Sequence, residues 1–141
     1  MGRIIAIDYG SKRVGIAVTD PQKIIATGLC TLHSKDVENF LKDYINKEIV
    51  ETLIIGDPKN MNNQPSESKK LVTAFVNRLK KVFPHIPLKL IDERLTSRIA
   101  EHTIINSGLK KKDRQKKELR DVISATLILQ TYLDSKTINE K

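Results

Sequence analysis

The stretch RIIAIDYGSKRVGIAVTD, residues 3–20, decides the architecture that the sequence predicts. Two short runs rich in β-branched and apolar residues, 3–8 and 14–20, flank a glycine-containing turn over 9–13, a pattern typical of a β-hairpin. A third run of the same kind covers residues 24–32, after a short turn that contains a proline. Three strands joined by short connections predict an antiparallel meander at the start of the chain.

Downstream of the meander, the hydrophobic pattern alternates between helices and strands. Strand-like runs over 52–55 and 88–92 flank a helical pattern over 66–83, so these two strands should be parallel and joined by a right-handed crossover. The full order, βββαβαβαα, predicts one α/β domain over residues 1–141, with helices flanking a mixed five-stranded sheet. This order matches the ribonuclease H-like architecture. The remaining helices are predicted after Ser34, from Thr96 or Ser97 to about residue 107, and over about 115–134.

Two of the predicted helices carry apolar residues at helical spacing, which indicates the faces that they bury. The stripe of the 66–83 helix consists of Leu71, Val72, Phe75, Val76, Leu79 and Val82. The stripe of the last helix consists of Leu119, Val122, Ile123, Leu127, Leu129 and Leu133.

The composition predicts a cytoplasmic protein with a polyanionic partner. Lys and Arg total 25 against 17 Asp and Glu, a formal net charge of +8, which is typical of nucleic-acid binding. With three Tyr, three Phe and no Trp, contacts to phosphate rather than base stacking should dominate that binding. No apolar run approaches the ~18–20 residues of a membrane span. One Cys and three His argue against a disulfide framework and against a zinc site.

Three acidic residues stand where a carboxylate needs a partner. Asp8 ends the first predicted strand, and Gly10 and Gly15 follow it; these glycines permit the close approach of a backbone or a phosphate. Glu93 follows the fifth strand, at the edge where open α/β sheets bind ligands. Asp121 lies beside the apolar stripe of the last helix, where an isolated carboxylate would be costly.

Each acid also has a purely structural interpretation. Turn amides could satisfy Asp8, as they should satisfy Asp20 directly before Pro21. Glu93 could pair with Arg94 while Asp92 or Thr96 caps the next helix. Asp121 could form a salt bridge with Arg94, Lys117 or Arg120.

Taken together, converging carboxylates with few histidines suit hard cations such as Mg²⁺ or Mn²⁺. Two such ions about 3.5–4 Å apart can activate water and stabilise the leaving oxygen of a phosphodiester. Acids at the sheet edge, surrounded by a positively charged surface, are typical of a metal-dependent nuclease.

Four motifs in series carry a resemblance to a known family. They are DYGSKRVGIAVTD at 8–20, Gly56-Asp57-Pro58 with Asn60-Met61, DERLT at 92–96 with Ala100-Glu101, and Asp121 with Ala125 and ILQTYL at 128–133. With these motifs the chain resembles the YqgF family, the predicted Holliday-junction-resolvase-like or pre-16S rRNA nucleases. The resemblance spans nearly the whole chain in the family's order.

The resemblance implies a ribonuclease H-like fold and divalent-metal-dependent endonuclease or exonuclease action on structured nucleic acid. The implied substrate is either the 5′ end of precursor 16S rRNA or branched DNA. Ribosomal particles are a further implied partner, and the protein would act as a monomer or a homodimer. Asp8, Glu93 and Asp121 would be the catalytic metal ligands, holding Mg²⁺ or Mn²⁺ in a site for two ions. Residues that would position phosphates or the carboxylates are Lys12, Arg13, Arg94 and Thr96.

The chain departs from the family pattern at two places. Asp57 stands where the family usually has an apolar residue, and in this fold it could approach Asp8 closely enough to be a reserve ligand. A loop aspartate before Pro58 is the alternative interpretation, and Asp92 is a second acid whose role stays open. Asn62-Asn63 replaces a common Asp-Gly pair, although Asn also tolerates a positive φ.

A basic segment, KKKDRQKK at 110–117, directly precedes the Asp121 helix. Such a run is usually a solvated loop, but its position next to a candidate catalytic acid favours a loop that clamps the substrate. Its basic residues are Lys110, Lys111, Lys112, Arg114, Lys116 and Lys117.

Two other functions remain open on the sequence. A non-catalytic ribosome-assembly factor could keep the carboxylates as remnants of the fold. An actin-like phosphotransferase or ATPase could share the Asp-x-Gly hairpin, but those enzymes close two such domains over a nucleotide, and 141 residues supply one.

Overall fold

The computed structural model describes residues 2–57, 67–92 and 117–139 of the chain. The helix predicted between residue 96 or 97 and residue 107 lies outside the described residues. The strands are β1 (Arg3–Tyr9), β2 (Arg13–Thr19), β3 (Ala26–His33), β4 (Val50–Asp57) and β5 (Leu88–Asp92). The helices are α1 (Val37–Lys47), preceded by a short 3₁₀ turn at Ser34–Asp36, α2 (Glu67–Val82) and α3 (Lys117–Asn139).

The five strands form one mixed sheet in the order β3-β2-β1-β4-β5. The pairs β1–β2 and β2–β3 are antiparallel, whereas β4 runs parallel to both β1 and β5. The predicted meander with two parallel strands is therefore confirmed. β1 lies at the centre, so the carboxyl ends of β1, β4 and β5 meet at one edge of the sheet.

Helices cover both faces of the sheet, and the alternation along β1 shows which residues each face receives. Ile5 and Ile7 point to the face of α1 and α2, while Ile4 and Ala6 point to the face of α3. All four side chains are fully buried. Burying one Ile or Leu side chain completely contributes about 1.5–3 kcal/mol to the free energy of folding. The isoleucines of β1 therefore stabilise both hydrophobic layers.

α2 buries the face that its apolar spacing predicts. Val72, Phe75, Val76 and Leu79 are buried, and the helix ends just before Pro84, which cannot continue it. No helix among the described residues combines the length and apolar character of a membrane span.

The turn between β2 and β3 depends on Asp20. Its Oδ1 accepts hydrogen bonds from the backbone N–H groups of Ile24 at 2.9 Å and Ile25 at 2.8 Å. The hydrogen bonds from Ile25 and Ile24 hold the pKa of Asp20 below its usual range, because they stabilise the ionised carboxylate. The structural interpretation of Asp20 is confirmed.

Candidate active site

Asp8 lies near the carboxyl end of β1, on the face that α3 covers. It is partly buried and pairs directly with Gly15 of β2. Residues opposite each other in an antiparallel pair point to the same face, and Asp8 follows Ile4 and Ala6 in the alternation of β1. Its carboxylate therefore extends toward α3 rather than toward α1 and α2.

Gly15 lets the backbone of α3 come unusually close to the sheet. A Cβ at this position would overlap the carbonyl oxygen of Asp121 and would lie 3.0 Å from the backbone nitrogen of Val122. Only a glycine leaves room for such an approach. The close approach predicted at Gly15 is made by a backbone, and it brings Asp121 to the strand position that faces Asp8.

Asp121 forms an ion pair with a residue of the hairpin. Arg13 Nε donates to Asp121 Oδ2 at 3.2 Å, and the two side chains are 46% and 26% exposed. Arg13 is thus a partner that the described residues supply, whereas Arg94 and the side chains of Lys117 and Arg120 lie outside them. Because exposed ion pairs contribute at most about 1 kcal/mol, this pair can exchange for another cation at little cost.

Asp57 points away from Asp8. It is 5% exposed and follows Leu53 and Ile55 on the face that α2 covers, where Lys69 Nζ donates to its Oδ1 at 2.5 Å. The carboxylate is therefore neutralised by α2, on the opposite side of the sheet from the Asp8 face. This position supports the structural interpretation of Asp57 over a role as a reserve ligand.

The remaining predicted site residues either lie at the ends of elements or fall outside the described ranges. Lys12 is exposed in the turn before β2, and Lys117 is the first residue of α3. Asp92 pairs with Asp57 in the register of the parallel strands. The predicted site residues that lie outside the described ranges are Glu93, Arg94, Thr96, Lys110, Lys111, Lys112, Arg114 and Lys116.

Asp8 and Asp121 are the described residues suited to hold a divalent cation. Hard cations take carboxylate oxygens as ligands, and these two carboxylates belong to the same face. In the part of the chain that the structure describes, no group of three or more His, Cys, Asp or Glu side chains converges on one point. The sequence did not reveal the Arg13–Asp121 pair, since a contact over 108 positions leaves no local signal.

Comparison with known proteins finds relatives of the same name that match 96% of this chain. The chain is 56% identical over 136 residues to a Bacteroides thetaiotaomicron protein named "Putative pre-16S rRNA nuclease", covering 96% of this chain and 99% of that one. It is 53% identical over 136 residues to a protein of the same name from Flavobacterium johnsoniae, with coverage of 96% and 99%.

The fold has a relative among solved structures and a matching family model. The structure of Thermus thermophilus RuvC in complex with a Holliday junction substrate superposes with a TM-score of 0.59 at 13% identity, covering 97% of this chain and 98% of that chain. At this identity the likeness establishes the fold, an α/β fold of the ribonuclease H-like type. The family model described as "RuvX: Holliday junction resolvase" matches residues 2–135, and with the relatives above it shows that this chain belongs to the RuvX (YqgF) family.

Proposed function

We propose that this protein is a divalent-metal-dependent nuclease that hydrolyses phosphodiester bonds in structured nucleic acid. The observation that carries the proposal is the approach of α3 to Gly15, which puts Asp121 beside the strand position of Asp8. Two carboxylates from distant parts of the chain share one face at the end of the central strand. Two partly buried carboxylates on one face need compensating positive charge, and a bound divalent cation would supply it.

Glu93 is the proposed third ligand, because it directly follows β5 in the sequence. Lys89 Nζ lies 3.3 Å from the hydroxyl of Tyr132 in α3, and Ile91 packs against the cluster beneath the same helix. Lys89 and Ile91 of β5 therefore face α3, as Asp8 does. The strand that leads to Glu93 thus borders the face that Asp8 and Asp121 share.

The chemistry divides between the cation and the side chains of the chain. One or two bound Mg²⁺ or Mn²⁺ ions would lower the pKa of water and stabilise the attacking and leaving oxygens of the phosphodiester. Asp8, Glu93 and Asp121 would bind these ions and orient them. Arg13 balances the charge of Asp121 without metal, and together with Lys12 it offers cations to the phosphates beside the cleaved bond.

The proposed substrate is the 5′ end of precursor 16S rRNA, processed in the cytoplasm on ribosomal particles. The names of the relatives at 53–56% identity support RNA, and the formal net charge of +8 suits any polyanion. Branched DNA is the second candidate. It is favoured by the description of the family model and by the likeness to RuvC bound to a Holliday junction.

A cleavage assay that offers both substrates tests the proposal. Precursor rRNA fragments and a four-way DNA junction are incubated side by side with Mg²⁺ or Mn²⁺, with EDTA as a control. We expect the wild-type protein to cut one of them, and Asp8→Asn to lower the rate at least ~100-fold while the binding affinity is retained.

Two results would contradict the proposal. Full activity of Asp8→Asn would remove Asp8 from the mechanism. Binding of RNA by the wild-type protein without metal-dependent cutting of either substrate would instead identify a non-catalytic assembly factor.

A further inference from the structure

A cleft of about 380 Å³ opens on the face of the sheet opposite to Asp8. It lies between the beginning of α1 and the middle of α2, and Tyr9 of β1 lines it together with Phe75 of α2. A volume of this size falls within the range of roughly 300–1,000 Å³ that small-molecule sites occupy. It has no part in the proposed catalytic site, whose carboxylates lie under α3.

The aromatic wall of the cleft is a pair of parallel rings. The rings of Tyr9 and Phe75 stack with centroids 4.0 Å apart and an interplanar angle of 10°. Phe75 is 8% exposed, whereas Tyr9 is only partly buried. Flat rings held this way can stack with a nucleobase.

The rim of the cleft is positively charged. Arg78 Nε donates to Glu38 Oε1 at 2.7 Å, and Lys42 Nζ lies 3.4 Å from the other carboxylate oxygen of Glu38. Glu38 thus shares its one negative charge between two cations, and Lys35 adds a further positive charge on the lining. Asn39 also lines the cleft and carries an amide that can both donate and accept hydrogen bonds.

The cleft is joined to the catalytic edge through the turn after β1. Tyr9 is the residue next to Asp8, and the alternation of the strand sends the two side chains to opposite faces. Ser34, on the lining, donates from its hydroxyl to the carbonyl of Ser11 at 2.8 Å and from its N–H to the carbonyl of Lys12 at 3.2 Å. A strand of nucleic acid that passes over this edge of the sheet would contact both the cleft and the proposed catalytic face.

We propose that this cleft captures one unpaired nucleotide of the substrate, with the base stacked along the Tyr9–Phe75 wall and its phosphate near Lys35 and Arg78. The proposal rests on the proposed function and narrows its substrate class to nucleic acid with an unpaired nucleotide next to the cleaved bond. Flat aromatic rings, a rim of excess positive charge and the sequence adjacency to Asp8 together favour a nucleotide over an apolar ligand.

The test measures binding in EDTA, so that its result is independent of cleavage. Dissociation constants are determined for an RNA hairpin with an unpaired tail, for the same RNA with abasic sugars in the tail, and for a blunt hairpin with equal phosphates. Ala74→Trp fills the cleft from an exposed position of α2, and Thr73→Trp is its matched control one residue away, outside the lining. Tyr9→Leu removes a stacking ring, and Tyr9→Phe keeps the ring.

We expect Ala74→Trp and Tyr9→Leu to weaken binding of the tailed RNA about tenfold. The same two variants should change the dissociation constant of the blunt hairpin less than about twofold. Thr73→Trp and Tyr9→Phe should change the dissociation constant of the tailed RNA less than about twofold. The abasic tail should weaken wild-type binding by the same factor, with no further loss in Ala74→Trp, because the same contact is already missing.

Equal losses for tailed and blunt RNA, or additive losses with the abasic tail, would overturn the nucleotide cleft. So would unchanged binding of the tailed RNA by Ala74→Trp. If Tyr9→Leu fails to fold, Ala74→Trp decides the outcome alone, since residue 74 is exposed. If the cleft proposal fails, the Asp8→Asn cleavage assay still tests the proposed function. If the proposed function fails, the binding measurements in EDTA still test the cleft.

Discussion

Asp8 and Tyr9, adjacent at the end of β1, belong to two different proposed sites. The alternation of β1 turns the carboxylate toward α3 and the ring toward α2, so adjacent residues face chemically different surroundings. Asp121 then reaches the Asp8 face through the contact at Gly15. Asp57 ends the neighbouring strand but points to the other face, where Lys69 already neutralises it.

The position of Asp57 leads to a prediction that separates it from the proposed ligands. We expect Asp57→Asn to lower the free energy of unfolding by roughly 1–2 kcal/mol, because a buried carboxylate loses its charge-assisted hydrogen bond to the half-exposed Lys69. Its cleavage rate should stay within about twofold of wild type. Denaturant unfolding and the cleavage assay measure the two effects.

The matched variant is Asp121→Asn, which should show the opposite pattern. It removes a half-exposed ion pair with Arg13, so stability changes by less than about 1 kcal/mol while cleavage is lost. A folded Asp57→Asn protein without cleavage would bring Asp57 into the catalytic site.

The interpretation of single residues from sequence succeeded where the partner is local. Asp20 is held by amides four and five residues ahead, and the residues around Pro21 announce that turn. Arg13 and Asp121 are 108 positions apart, and the partners proposed from the sequence were Arg94, Lys117 and Arg120. Charge complementarity has no period in sequence, so only the packing of α3 reveals this pair.

At the scale of elements, α3 is the helix that brings Asp121 to the proposed site. It packs across β1, β2 and β3, and it approaches most closely at two glycines of the meander, Gly15 and Gly28. The two contacts differ in kind. Gly15 meets the backbone of the helix at Asp121, while Gly28 meets the Val122 side chain.

This difference predicts unequal effects of two matched Gly→Ala substitutions. We expect Gly15→Ala to lower the free energy of unfolding by about 1–3 kcal/mol, because the added methyl group must push the backbone of α3 outward. Gly28→Ala should cost less than Gly15→Ala, since the Val122 side chain can give way more easily than a helix backbone and the unfolded chain loses entropy. Denaturant unfolding of both variants measures the difference.

Gly15→Ala should also reduce cleavage well beyond Gly28→Ala at a temperature where both are folded, because Asp121 moves with the backbone of α3. Equal stabilities and equal cleavage rates in the two variants would show that the helix does not need this approach.

Element positions were largely predictable, whereas the width of the buried helix face was not. The sequence placed α2 at 66–83 against Glu67–Val82 observed, because its apolar spacing and the following proline mark both ends. For α3 it predicted the burial of Leu127, Leu129 and Leu133 correctly, whereas Val122 and Ile123 are only partly buried. It missed the buried Ala125, Ile128 and Tyr132. Ala6 and Ala17 leave room for α3 between Ile4 and Ile54 of the sheet, so the helix buries a wider face than one apolar stripe indicates.

At the scale of the whole molecule, the excess of positive charge was evident from composition, but its placement was not. The formal net charge of +8 predicts a polyanion without saying where it binds. The sheet gives that direction, because the proposed site lies at the carboxyl ends of β1, β4 and β5. Lys12 and Arg13 lie at this edge, while Lys80 and Lys81 end α2 at the opposite one.

These two pairs allow a matched test of where phosphates contact the protein. Replacing Lys12 and Arg13 by Gln, or Lys80 and Lys81 by Gln, removes two positive charges in either case, so any effect of net charge alone is the same. Each lost phosphate contact should reduce the slope of log K against log salt by about 0.7–0.9. We therefore expect the slope to fall by about 1.4–1.8 in the first variant and to stay unchanged in the second. The slope comes from dissociation constants measured in EDTA over a series of salt concentrations. Equal changes in both variants would mean that binding responds to net charge rather than to the edge of the sheet where Asp8 lies.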